Sequence, residues 1–217
     1  MLIKEAKAIV GGLSNCEKMP SFSWGIPAVL CKVGSLLAQV KGSVCFVCYA
    51  LRGRYVFLSV RKAQDRRLKA IEDPRWMDAM STLINHYKKP FRWFDSGDIQ
   101  SLLHLMMIVT VAKRTPTVQH WLPTKEKRIV KSFLDVFGKF PPNLNVQMSG
   151  YMVDGPRCNM GKHDDKVSHH LTYTKTAPKG SYGCPVEVKG SQSKSSSDAG
   201  CYACWDKSVS VVAGRLH

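Results

Sequence analysis

Eight cysteines carry the most chemical potential in this chain: Cys16, Cys31, Cys45, Cys48, Cys158, Cys184, Cys201 and Cys204. They fall into two groups with none between Cys48 and Cys158, and each group contains a C-x-x-C pair. Such a pair delivers two thiolates from one turn, as a tetrahedral zinc or an iron–sulfur cluster requires. Cys31, Cys45 and Cys48 therefore read as one metal site. Cys184, Cys201 and Cys204 read as a second, with His217, His163, His169 or His170 as a fourth ligand; His217 is the favoured one, since it can fold back along the last element. Cys16 and Cys158 suit the role of small buried apolar residues.

Carboxylates form the next candidate set. Phe94-Asp95-Ser96-Gly97-Asp98 places two of them, a hydroxyl and a glycine turn after a short aromatic run. Pro123-Thr124-Lys125-Glu126 follows His120 and Trp121, and Ser149 to Asp154 forms a third such stretch. Asp98 and Thr124 both have an alternative reading as helix N-caps. Asp95 is not needed as a cap if Asp98 serves, so it stands as a candidate nucleophile, general base or hydrogen-bond acceptor, with Asp98 and Glu126 beside it.

Charge suggests a partner. The 217 residues contain 32 Lys and Arg against 16 Asp and Glu, a net charge of +16, which attracts polyanions without specifying a fold. The densest run holds Arg52, Arg54, Arg61, Lys62, Arg66 and Arg67, with Tyr49, Tyr55 and Phe57 nearby. Guanidinium groups pair with phosphates and aromatic rings stack on exposed bases, so DNA or RNA is the expected partner and a solvated basic helix face is the alternative. No apolar run approaches a membrane span; Leu102 to Ala112 is too short and contains His104. Met1 to Gly12 lacks the pattern of a secretory signal, and the expectation is a soluble intracellular protein with no membrane partner.

The elements that must position these groups follow from periodicity. Residues 1–60 are Gly-rich and interrupted by Pro20 and Pro27, an irregular cysteine-containing segment. Residues 61–154 form an α/β core. Lys62 to Lys89 gives two helices, or one kinked at Asp73-Pro74; Phe91 to Phe94 is a strand; Asp98 caps a helix to about Lys113. Val118 to Leu122 is a strand, Lys125 to Phe137 a helix and Leu144 to Met152 a strand. This alternation predicts one α/β domain, with a parallel sheet or a partial (β/α) barrel. Functional groups then belong just beyond the carboxyl ends of the strands. Residues 155–217 form a second cysteine-containing segment, with a flexible Gly/Ser/Lys-rich loop at 178–200 and a short final helix from Cys201 to about Val212.

Taken together, Gly42-Ser43-Val44-Cys45-x-x-Cys48-Tyr49-Ala50-Leu51-Arg52-Gly53-Arg54-Tyr55, Phe91-Arg92-Trp93-Phe94-Asp95-Ser96-Gly97-Asp98, His120-Trp121-Leu122-Pro123-Thr124 and Cys201-x-x-Cys204-Trp205-Asp206 resemble the bacteriophage gene product 88 family. Where that family's pattern has a further cysteine three residues ahead of the last pair, this chain has Asp198. A cysteine followed by C-x-x-C-Tyr ahead of an α/β unit also resembles the cluster-binding entry of radical S-adenosylmethionine enzymes, although 13 residues separate Cys31 from Cys45 here. The first reading is a phage-type metal-binding basic protein, with an iron–sulfur cluster or zinc, that binds nucleic acid or a host protein of the nucleic-acid machinery. The alternative is an iron–sulfur or zinc enzyme modifying a nucleic acid or nucleotide.

Overall fold

Apolar side chains recur on one face of each predicted helix and alternate along each strand, and in the computed structural model these faces meet in one core. The structure describes residues 1–15, 19–186 and 199–216; Cys16, His217 and the middle of the 178–200 loop lie outside them. The chain opens with helix α1 (Ile3–Ile9), β1 (Ser14–Asn15) and β2 (Phe22–Trp24), and continues through helix α2 (Lys32–Leu37) and several short 3-10 turns. Helices α3 (Leu58–Ala70) and α4 (Trp76–Tyr87) follow, separated at Asp73-Pro74 as expected. Then come β3 (Phe91–Trp93), α5 (Leu102–Arg114), β4 (His120–Thr124), α6 (Lys127–Phe137) and β5 (Leu144–Ser149). Strands β6 (Ser168–Tyr173), β7 (Tyr182–Gly183) and β8 (Val211–Arg215) complete the order.

The eight strands form one sheet in the order β1-β2-β3-β4-β5-β6-β8-β7. Only β1 runs antiparallel to its neighbour; every other pairing is parallel. From β2 to β6 the spatial order follows the chain order. Right-handed crossovers in one constant direction place successive helices on the same side of a sheet, and α4 packs on α5 and α5 on α6 accordingly. The result is the open, sequential arrangement of a partial (β/α) barrel.

One sheet face is apolar and lies under those helices. Phe91, Trp93, Leu122, Leu144, Val146 and Met148 join Trp24, Trp76, Leu83, Ile84, Leu105, Ile108, Val130 and Phe133 in the core. Trp24 packs edge-on against Trp76, Trp93, Phe94 and His104, and its indole N–H donates to Val10 O at 3.0 Å, tying α1 to β2. Alternation along the strands sends Ser23, Arg92, Trp121, Asn145, Gln147, Ser168 and His170 to the other face, called the inner face below.

Three expectations are corrected. Asp98 does not cap α5: Ser101 is the N-cap, its hydroxyl accepting the His104 N–H at 3.0 Å, and Asp98 has other partners. The segment after Cys201 forms turns followed by strand β8 rather than a helix, because Val211, Val212 and Ala213 pair with β6, where β-branched side chains pack well. Finally, the irregular first and last segments contain strands β2, β6, β7 and β8, and Tyr182–Gly183 of the expected loop is β7.

Candidate metal centre at the carboxyl ends of the strands

The turn after β3 departs sharply from strand geometry. Phe94 adopts a left-handed backbone at φ 56° and Gly97 one at φ 79°, the former unusual for a residue with a side chain. Its N–H donates to Trp24 O at 2.7 Å, which locks the turn to β2. Asp95 comes to rest against Gly25, where an added Cβ would stand 2.2 Å from Oδ1 and 2.7 Å from Ser96 O. Only glycine allows this approach. Asp95 is buried, and its Oδ1 has no hydrogen-bond partner among the described residues.

Asp98 is buried with its carboxylate fully engaged. Oδ1 accepts the Ile99 N–H at 2.8 Å and the Thr124 hydroxyl at 2.6 Å, and Oδ2 accepts the Lys125 N–H at 2.9 Å. Burial pushes its carboxyl up to about 6, against the pull of these three donors. Asp98 therefore joins the ends of β3 and β4. Thr124 Oγ1 in turn accepts the Glu126 N–H at 3.0 Å, while the residue at the α6 N-cap position is Glu126 itself, with no side-chain cap bond.

The cysteine loop between β2 and α3 is fastened across these strand ends. The Val33 N–H donates to Glu126 Oε1 at 2.9 Å, beyond β4. Val44 N–H donates to Tyr151 O at 3.0 Å and Val153 N–H to Gly42 O at 3.0 Å, around a Ser43–Met152 bridge beyond β5. The Tyr49 hydroxyl donates to Asp95 O at 2.8 Å, beyond β3. Three strand ends thus hold one loop.

Within that loop Cys31, Cys45 and Cys48 are free thiols, each partly buried. Gly34 lies between two of them: a Cβ added there would be 3.6 Å from both the Cys31 and the Cys45 Sγ. Burial pushes the Cys31 thiol far up, and Asp98, Cys48, Cys45 and Glu126 add to the shift by their negative charge. Cys45 is also raised, first by burial, while Lys125 pulls it down. Thiols in such a place stay protonated unless a cation displaces their protons, and bound metal does so. Among the described residues no three His, Cys, Asp or Glu side chains form a ready coordination sphere; the three thiols share a neighbourhood without meeting at one point.

The second cysteine group gathers around Tyr182. Its hydroxyl lies 3.6 Å from the Cys201 Sγ. That contact and the charges of Cys201, Cys184 and Cys204 raise the phenol. Cys184 N–H donates to Ala213 O at 2.8 Å, and Asn145 Nδ2 donates to Cys204 O at 2.9 Å, so both ends of the intervening loop are fixed to the sheet. His217 lies outside the described residues. Of the other ligand candidates, His163 bonds Asp135 at 2.9 Å, whereas His169 and His170 sit on β6.

Arg52, Arg54, Arg61, Lys62 and Arg66 are exposed on the turns before α3 and on α3 itself. Arg67 is different. It is buried, donates from Nε to Gly12 O at 3.0 Å, and lines a cleft of about 240 Å³ with Asp95, Gln64, Tyr55 and Ser14.

Neither Arg92 nor Gln147 was singled out by residue type, Lys125 stood only as part of a turn, and His170 stood only as a candidate ligand of the second cysteine group. The signal was present, since polar residues alternate through strands whose other positions are apolar, but only the sheet register shows that they share a face. No curated protein matches the chain, and no solved structure does either. The family model described as gene product 88 matches residues 2–208, so the chain belongs to this bacteriophage protein family.

Proposed function

We propose that Cys31, Cys45 and Cys48 hold an iron–sulfur cluster and that the protein is an enzyme acting on a nucleic acid or nucleotide. One observation carries this reading: a loop bearing three thiols is fastened across the carboxyl ends of β3, β4 and β5, where the active sites of parallel α/β sheets form. Zinc would draw each sulfur to within about 2.3 Å of one point. Thiols that share a region without converging better suit a cluster, whose separate irons each take one sulfur. Three protein ligands also leave a position open for a substrate.

This chain's own residues supply the surroundings. Glu126 positions the loop by accepting the Val33 N–H, and Asp98 anchors the turn that carries Glu126 by accepting the Lys125 N–H. Asp95, with an unengaged buried oxygen, is the candidate acid or base. Exposed Phe57 beside Arg52, Arg54, Arg61, Lys62 and Arg66 offers stacking and phosphate contacts at the rim. The same rim supports a second reading, a nucleic-acid-binding protein in which metal only holds the fold.

Anaerobic purification followed by iron, sulfide and zinc analysis tests the proposal. A brown protein containing iron and sulfide that disappear in Cys45→Ser and Cys48→Ser supports it. Zinc that is lost in these two variants, or iron and sulfide retained in them, overturns the cluster. A cluster-bearing protein that binds nucleic acid without altering it selects the second reading.

A further inference from the structure

The inner face of the sheet carries polar and cationic groups, including a buried amide with an N–H unpartnered among the described residues. Arg92 stacks its guanidinium over the Trp121 ring at 4.8 Å and donates from Nη2 to the Tyr49 hydroxyl at 3.0 Å, which brings it under the cysteine loop. The Trp121 indole N–H donates to Gln147 Oε1 at 3.0 Å. Gln147 is wholly buried, yet its Nε2 has no partner among the described residues. A buried amide N–H group without an acceptor is costly.

On the next strand, in the row beyond Gln147, stands His170. Burial, Lys125 and Arg92 together push its imidazole down to about 4. No carboxylate figures among the groups acting on it. The two cations come from β3 and the end of β4, the neutral imidazole from β6, and Lys125 also acts on Cys45.

We propose that this face binds the oxyanion of a small-molecule ligand, a carboxylate or a phosphate, between Arg92, Lys125 and His170, with Gln147 as a further donor. The site deepens the reading of the strand ends as an active site and gives its ligand a charge. Arginine and lysine hydrogen bonds to such an anion are charge-assisted and among the strong ones, and the Trp121 and Tyr49 contacts fix the guanidinium in advance.

The test uses the full chain as purified, titrated calorimetrically with sodium phosphate and separately with sodium acetate, ionic strength being held constant with sodium chloride. Saturable binding of either anion is expected, phosphate alone marking a phosphate-bearing ligand and acetate alone a carboxylate. Lys125→Met and Arg92→Met should each weaken it about tenfold, the loss of one charge-assisted hydrogen bond, while Lys113→Met on exposed α5 surface should not. Circular dichroism checks folding, and Lys125→Met decides the matter if Arg92→Met unfolds. Binding of neither anion, or binding unchanged in Lys125→Met, overturns the inference. Metal measured on the same samples separates the two proposals: metal without anion binding removes this one alone, and anion binding without metal removes only the cluster.

Discussion

Gly25 and Asp95 are a single unit at the residue scale, because the carboxylate occupies the space that a side chain at position 25 would fill. Gly25→Ala is expected to destabilise the protein by about 1–3 kcal/mol, the usual cost of overpacking, and to displace Asp95; an unchanged urea midpoint would refute the close approach. Buried histidines set an acid limit. The Trp93 indole can only donate, so Nδ1 of His120 accepts it and Nε2–H donates to Thr115, whose hydroxyl donates to Val111 O. Burial holds His120 down to about 3 and His104 to about 4, against an ordinary 6.5. Groups depressed in this way contribute stability that is present above pH 6.5 and lost as pH falls toward those values, since the unfolded chain takes up protons first. Asp98 acts oppositely: raised to about 6 from 3.8, its contribution is complete below pH 3.8 and lost as pH rises through about 6. With His170, also held down to about 4, three imidazoles outweigh one carboxylate, so urea midpoints should fall from pH 6.5 to 4.5, less steeply in His120→Gln. A midpoint that rises over that range would contradict neutral burial.

At the scale of elements, the distinction between Ser101 and Asp98 decides what each substitution does. Ser101→Ala removes one N-cap bond and should cost about 1 kcal/mol. Asp98→Asn is the more damaging change, although asparagine caps helices well. Its amide must turn an N–H toward donors that the second carboxylate oxygen now accepts, leaving a buried N–H unsatisfied at a cost of about 1–3 kcal/mol. Thermal unfolding of the two variants checks this order. A loss in Asp98→Asn no larger than in Ser101→Ala would refute the buried three-donor anchor at Asp98. Because Asp98 joins β3 to β4 and Glu126 joins β4 to the cysteine loop, Asp98→Asn should also loosen that loop, read as faster reaction of Cys31 and Cys45 with a thiol reagent.

For the whole molecule, a net charge of +16 predicts association with polyanions that weakens steeply with salt. Charge reversal at Arg61 and Arg66, both exposed on α3, should reduce nucleic-acid affinity and flatten the salt dependence in filter binding. Arg67→Glu should instead destabilise the fold, since Arg67 is buried against Gly12. Affinity independent of salt, or unchanged in the double reversal, would place the contact elsewhere. No helix among the described residues is long and apolar enough to cross a membrane.

The sequence by itself determined the class of fold, because the alternation of strand and helix periods between Phe91 and Ser149 is a local property that packing only confirms. It also marked the cysteine pairs and the turns holding Asp95, Asp98 and Glu126, whose chemistry is written in residue type. Strands as short as Phe22–Trp24 carried no readable period, and β6 and β8 were hidden because they complete their pattern only by pairing with strands distant in the chain. Asp98 and Ser101 are both good caps, and only the backbone path decided which one faces α5. The meeting of Arg92, Trp121, Gln147 and His170 on one face belongs to tertiary structure alone. Register between parallel strands assigns each side chain its face, and a shift of one residue would have sent all of them to the helices.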